Sequence, residues 1–133
     1  MKISIAAIIS AAVLTLCGCA FLGAKKTEES AYNKITQEEA QRMMGEDDGH
    51  IIVDVRRPDE FAAGHIPDAI CIPNEEISSE KPKELPKLDQ VILVYCRSGR
   101  RSKEASKKLS AMGYTNVYDF GGIIDWTGEV VTD

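Results

Sequence analysis

The stretch VILVYCRSGRRSKEASKKLSAMG, residues 91–113, decides the architecture. Residues 91–94 form an unbroken apolar run, as expected of a strand covered on both faces of a parallel sheet. KEASKKLSAM, residues 103–112, reads as a helix stopped by Gly113. Between them, YCRSGRRS sets one cysteine among three arginines. A strand feeding a helix through a tight loop is the unit of an α/β fold. Ligands of such folds sit at the carboxyl ends of the strands, where Cys96 lies.

The same alternation extends both ways from this stretch. Thr36 and Glu39 make a capping box for a short helix, TQEEAQRMM, that stops at Gly45. IIVDV, residues 51–55, is a second near-continuous apolar strand. In RRPDEFAAG, Pro58 opens a helical turn, Asp59 and Glu60 sit at the positive end of its dipole, and Gly64 stops it. AICIP, residues 69–73, is a short strand, and residues 74–90, with Pro82 and Pro86, form a polar, irregular connection. NVYDF, residues 116–120, is the last strand, followed by a helical piece from Gly122 to about Thr127. This order predicts an α/β three-layer sandwich, a mostly parallel central sheet flanked by helices. With 133 residues and no internal repeat, the chain holds one such domain, placed at residues 35–133.

The N-terminal residues belong to something else. After Lys2, residues 3–16 are charge-free and apolar, too short for a comfortable membrane span and ending in small residues and cysteine. Residues 1–18 therefore read as a signal peptide, with a retained anchor helix as the alternative. Leu16, Cys17, Gly18 and Cys19 resemble the lipobox of bacterial lipoproteins, which implies cleavage after Gly18 and lipidation of Cys19. Residues 19–34 would be the lipidated N-terminus and a polar tether. On this reading the domain is extracytoplasmic and membrane-anchored through Cys19.

Charge excludes one class of partner. The chain carries a net charge of -5, which becomes -6 when Lys2 leaves with the signal, so nucleic acid is a poor match. Against that background, residues 97–108 hold Arg97, Arg100, Arg101, Lys103, Lys107 and Lys108, offset only by Glu104. The pattern is a local anion site on an acidic body.

The loop after Cys96 explains what such a site is for. Four residues separate Cys96 from Arg101, and the helix is expected to begin at Arg101 or Ser102. In so tight a turn the backbone N–H groups of consecutive residues ring one point at a helix N-terminus. Gly99 lets the chain curl, while the arginines and the helix dipole add positive potential. Every one of these features favours the anionic, nucleophilic form of a sulfur at that point.

These residues resemble the rhodanese-like sulfurtransferases. Cys96, Arg97, Gly99 and Arg101 match the family's Cys-Arg-x-Gly-x-Arg loop, and DVRRPDEFAAGHIPDAICIP, residues 54–73, is similar to its first signature. Gly121, Gly122 and Trp126 resemble its closing Gly-Gly-x-x-x-Trp. The resemblance spans roughly residues 35–127 and implies a rhodanese-like fold and a ping-pong reaction. Cys96 would take a sulfane sulfur from a small anionic donor such as thiosulfate, hold it as a persulfide, and pass it to cyanide or a thiol. The N–H groups from Arg97, Ser98, Gly99, Arg100, Arg101 and Ser102 would stabilise the persulfide anion. Arg97 and Arg100 would attract the donor, and Arg101 would brace the loop. Phosphatases and arsenate reductases of similar shape carry five residues between the cysteine and the arginine. Here that position is Ser102, which favours sulfur transfer. A module that binds or senses sulfane sulfur without turnover is the other alternative.

Several residues read as supports. His65, within GHI, and the charges Asp54, Arg56 and Glu60 are expected to be structural, Asp54 pairing with Arg56 or a backbone amide and Glu60 with Arg56 or its own helix. Trp126, Met43 and Met44 read as core, and His50 as a loop residue. Cys71 is either one more buried strand residue or a partner for Cys96, which requires Cα atoms within about 7 Å. No cofactor is expected, and two histidines and two domain cysteines at unrelated spacings make no metal site. A monomer is expected.

Overall fold

The computed structural model describes residues 31–132. The predicted signal peptide, Cys19 and the tether up to residue 30 lie outside the described residues. Five strands form one sheet: β1 (Asn33–Lys34), β2 (Ile51–Asp54), β3 (Ile70–Cys71), β4 (Ile92–Cys96) and β5 (Val117–Gly122). The order is β1-β5-β4-β2-β3, and every pairing is parallel. Three α-helices, α1 (Gln37–Met44), α2 (Pro58–Ala63) and α3 (Arg100–Ala111), connect them, with short 3-10 turns at Asn74–Glu76 and Ile123–Asp125.

Strand alternation sorts the apolar side chains into two cores. Val53, Val55, Ile92, Val94, Cys96 and Val117 face Ala105 and Leu109 of α3. On the opposite face, Ile52, Leu93, Tyr95 and Phe120 pack with Ala40 of α1 and with Ile66, and Met43, Met44, Phe61 and Trp126 lie partly buried at the edge. All five residues of β4 are buried, which accounts for the unbroken apolar run before Cys96. A fully buried leucine such as Leu109 contributes about 1.5–3 kcal/mol to holding α3 on the sheet. The helix–sheet–helix sandwich read from the sequence is the observed fold.

Four boundaries differ from the sequence reading. The sheet starts within the expected tether: Asn33 and Lys34 pair with Tyr118 and Asp119 of β5. Two backbone hydrogen-bonded residues carry too little pattern to stand out in a polar stretch. The strand expected at residues 69–73 is only Ile70–Cys71. α3 begins at Arg100 rather than Arg101 or Ser102, because Gly99 supplies the turn one residue earlier. β5 runs on to Gly122, which leaves only a 3-10 turn of the expected last helix.

Residues 33–37 fasten this edge. The Asn33 side chain donates to the Val117 carbonyl, Ile35 N–H to the Asp119 carbonyl, and the Gln37 amide to the carbonyls of Phe120 and Gly122. Those bonds fix the end of β5 that supports the loop after Cys96.

Candidate active site

Cys96 ends β4, and the ladder to β5 is irregular at that point. Val94 pairs with Asp119 but Cys96 with Gly122, so β5 carries one extra residue across from the cysteine. Such a bulge twists its strand and re-aims the residues beyond it. The chain then turns sharply: Gly99 adopts φ 107° and ψ -15°, a left-handed conformation that side-chain-bearing residues rarely take, and α3 starts directly after it. The Gly99 N–H donates to Cys96 Sγ at 2.9 Å. Cys96 is 1% exposed, enclosed by its own loop at the N-terminus of a helix that no side chain caps.

The loop rests on the glycine pair of β5. A Cβ on Gly122 would lie 2.1 Å from the Arg97 carbonyl oxygen and 2.6 Å from Ser98 Cα, so only glycine permits this approach. The Arg97 carbonyl also accepts the Ile124 N–H at 3.2 Å. Beneath the loop lies Asp119, a carboxylate 1% exposed. Its Oδ1 accepts the Ser102 hydroxyl at 2.7 Å and the Gly121 N–H at 3.0 Å. One buried acid thus ties the first turn of α3 to the glycine turn.

A second brace comes from α2. Arg101 donates to both oxygens of Glu60, at 2.8 and 3.2 Å, and each side chain is 17% exposed. Arg101, helped by the Arg57 N–H, holds the Glu60 carboxyl down to about 2. Arg101 therefore braces the loop, while Glu60 caps its own helix at the Arg57 N–H and takes Arg101 rather than Arg56 as its ion partner. The fold brings α2 and α3 together over the strand ends, and linear spacing gave no sign of that contact.

The remaining supports lie one layer away. Arg56 donates to both Asp54 oxygens and to the Gly64 carbonyl, and the Arg56 N–H closes back on Asp54. His65 Nδ1 bonds the Phe61 carbonyl at 2.9 Å, its ring stacks on Phe61, and its backbone bridges Val131. His65 is 4% exposed. Trp126 packs on Phe120 at 5.7 Å and is only partly buried. His50 sits at the surface and bonds Asp48.

Cys71 is not a partner for Cys96. Asp54 of β2 stands between Cys71 and Tyr95 in the register, so two strand spacings, about 10 Å, separate β3 from β4. Alternation also points Cys71, opposite in register to Tyr95, away from the face that holds Cys96. A disulfide needs Cα atoms within about 7 Å, and both thiols are free. Burial, and then Asp54, push the Cys71 thiol up to about 11.

Over the loop opens a pocket of about 420 Å³. Four arginines line it, Arg57, Arg97, Arg100 and Arg101, together with Glu60, Glu75 and Ser98. The arrangement offers a recessed sulfur, the Gly99 N–H donated to it and a cationic approach, which suits nucleophilic attack on an anionic sulfur compound.

The family model of the rhodanese-like domain matches residues 36–129. The chain belongs to the rhodanese-like family. A sulfurtransferase of Allochromatium vinosum is 39% identical over 95 residues, covering 71% of this chain and 87% of that protein. Thiosulfate sulfurtransferase PspE of Escherichia coli is 38% identical over 73 residues, covering 55% of this chain and 70% of that one. Among solved structures, a rhodanese with anions from E. coli superposes with a TM-score of 0.58 at 34% identity, covering 63% of this chain and 99% of that chain. A rhodanese-related protein of Thermoplasma volcanium gives 0.65 at 28% identity, covering 77% of this chain and all of its own, 100%. Sulfur transfer is thus the chemistry of this rhodanese-like chain's named relatives.

Within the rhodanese-like frame, the fold gathers Arg97, Ser98, Arg100, Arg101 and Glu60 around one pocket, and Cys96 and Gly99 belong to the same loop. It sets Asp54, Arg56 and His65 aside as braces. Ser102 turns out to be a brace as well, its hydroxyl committed to Asp119. Sequence reading missed Asp119, Arg57 and Glu75. Asp119 had a signal, a lone acid inside a strand pattern two residues before the glycine pair. Arg57 and Glu75 had none, because their meeting depends on the ends of β2 and β3 lying beside the loop after β4.

Proposed function

We propose that this protein is a sulfurtransferase that carries sulfane sulfur on Cys96. The observation that carries the proposal is the Cys96 sulfur held at 2.9 Å by the Gly99 N–H inside a loop seated on Gly122. The Cys96 thiolate attacks the outer sulfur of thiosulfate: an Sγ–S bond forms, the S–S bond breaks, and sulfite leaves with the electron pair. The persulfide then gives its outer sulfur to cyanide or a thiolate, which releases Cys96 as thiolate. Backbone N–H groups of the loop stabilise the anion in both half-reactions. Arg97 draws in the anionic donor. Arg100 adds to the field while its guanidinium holds Glu104 at 3.0 Å.

The same geometry argues against phosphoryl transfer. Ser102 stands where such an enzyme needs its clamping arginine, and the Ser102 hydroxyl is spent on a buried carboxylate. For location, the apolar residues 3–16 and the Leu-Cys-Gly-Cys run at residues 16–19 support an exported protein anchored by a lipid on Cys19. A Cys19→Ser chain that stays with the membrane fraction would overturn that anchor.

The deciding experiment is intact mass of the reduced chain before thiosulfate, after it, and after subsequent cyanide, beside Cys96→Ser. One added sulfur on the wild type alone, removed by cyanide with repeated release of thiocyanate, supports an enzyme. Uptake with a single discharge supports a sensing module, and no uptake from thiosulfate or polysulfide overturns the proposal.

A further inference from the structure

Two consecutive glycines support the loop after Cys96, and glycine is the residue whose backbone is least inclined to keep one conformation. Gly121 holds a left-handed φ of 94°, while Gly122 is extended at φ -124° and ψ 148°. The Arg97 carbonyl and Ser98 rest on Gly122, and a Cβ on Gly99 would lie 3.8 Å from Gly121 Cα. Drift in this dipeptide therefore passes straight to the residues that enclose the sulfur. Asp119 holds the Gly121 N–H at 3.0 Å, and Ser102 reaches the Gly121 carbonyl only at 3.4 Å.

The carbonyls on either side of Gly121 are taken by a different element. Gln37, the first residue of α1, donates from Nε2 to the Phe120 carbonyl at 3.1 Å and to the Gly122 carbonyl at 2.8 Å. One side-chain amide thus spans the glycine turn from outside the pocket. Gln37 is itself fixed on both sides: the Ile35 N–H donates to the Asp119 carbonyl at 3.0 Å, and Thr36 caps α1 by accepting the Glu39 N–H at 3.1 Å. Its Oε1, by contrast, is buried and accepts no hydrogen bond among the described residues. A buried unpaired acceptor is unfavourable, so an apolar side chain would fill this space better. The work of the amide lies in its two donor hydrogens.

We propose that Gln37 is a positioning residue for sulfur transfer. Through the Phe120 and Gly122 carbonyls it keeps the glycine turn in place under Arg97 and Ser98, and so holds the Gly99 N–H on Cys96 Sγ. It touches neither sulfur nor donor. The inference rests on Cys96 as sulfur carrier for its turnover readout, and on the loop alone for its second readout.

The test compares the full wild-type chain with Gln37→Met, which keeps the side-chain length and removes both donors, and with Tyr114→Phe. The control also strands a buried carbonyl, that of Leu85, but lies beyond the far end of α3. Each protein is assayed for thiosulfate-to-cyanide turnover and for hydrogen exchange of the backbone amides of residues 97–102. Gln37→Met is expected to lower kcat about tenfold, short of the hundredfold that follows a 1 Å misplacement, because Asp119 still holds the turn. KM for thiosulfate is expected to stay within about twofold, since the pocket's arginines remain, and loop exchange to quicken about tenfold. Tyr114→Phe is expected to change neither readout. A wild-type kcat or unchanged loop exchange in Gln37→Met overturns the proposal, and so does a Tyr114→Phe protein with the same losses, which would make Gln37 an ordinary stabilising residue. A wild type that turns over no donor, beside a Gln37→Met chain whose loop exchanges faster, overturns the sulfur chemistry while upholding the hold of Gln37 on the loop.

Discussion

Replacing Gly122 with alanine is the sharpest perturbation of the loop. The added Cβ meets the Arg97 carbonyl oxygen at 2.1 Å, its carbonyl carbon at 2.6 Å and Ser98 Cα at 2.6 Å. All three are backbone atoms, so no side chain can swing aside. Carbon–oxygen contacts settle at roughly 3.3 Å, so the loop or the end of β5 must move by about 1 Å. Overpacking of that kind costs about 1–3 kcal/mol. The functional cost is larger, because a displacement of about 1 Å at a reacting group lowers rates about a hundredfold. Urea denaturation reads the first quantity, and thiosulfate-to-cyanide turnover reads the second. Ile92→Val is the control: it lies in β4 at the end far from Cys96, costs about 0.5–1.5 kcal/mol, and is expected to leave turnover unchanged. A Gly122→Ala protein with wild-type turnover, or one impaired no more than Ile92→Val, would refute the claim that the loop is seated on this glycine.

The braces and Cys71 give three further expected outcomes. Arg101 depresses the Glu60 carboxyl to about 2, so its contribution is complete above the unfolded value near 4.5 and is lost as pH falls through about 2. Glu60→Gln is expected to be less stable than the wild type at pH 7 by about 1–3 kcal/mol, with the gap closing between about pH 5 and pH 2 in urea titrations. A gap that stays constant with pH would contradict the pair. Asp119→Ala strands the Gly121 N–H, at about 1–3 kcal/mol, and leaves the Ser102 hydroxyl only its longer bonds to the Gly99 and Gly121 carbonyls, whereas Asp119→Asn keeps an acceptor and is expected to unfold at higher urea than the alanine variant. The reverse order would show that Asp119 is not their anchor. With its thiol pushed up to about 11, Cys71 in the folded chain is expected to resist iodoacetamide at pH 8, and Cys71→Ser to keep full turnover. Lost turnover in that variant would restore a resolving role.

Much of the site was readable because it is local. Cys96, Gly99 and Arg101 lie within six residues of one another, and the strand before them and helix after them are set by apolar periodicity alone. The structural role of His65 and the pairing of Asp54 with Arg56 are local for the same reason, a separation of two residues in the second case. What escaped the sequence are contacts across the fold. Glu60 and Arg101 stand 41 residues apart, and Ser102 and Asp119 17 apart. β1 escaped because a two-residue edge strand is defined by the partner it pairs with and not by its own pattern.

The sequence by itself determined a helix–sheet–helix fold of parallel strands and a cysteine at a strand end, in a cationic loop before a helix. These are short-range properties: buried strands need continuous apolar runs, a sharp turn needs glycine, and charge counts need no coordinates. Only the tertiary structure decided that Gly122 is the seat of the loop and that Asp119 and Glu60 are its two anchors. It also kept Cys71 on the wrong face for Cys96 and brought Arg57, Glu60 and Glu75 to the same pocket as Arg97 and Arg101. Each of those depends on which strands become neighbours and on which ions find partners first. Packing fixes both, and no linear spacing encodes them.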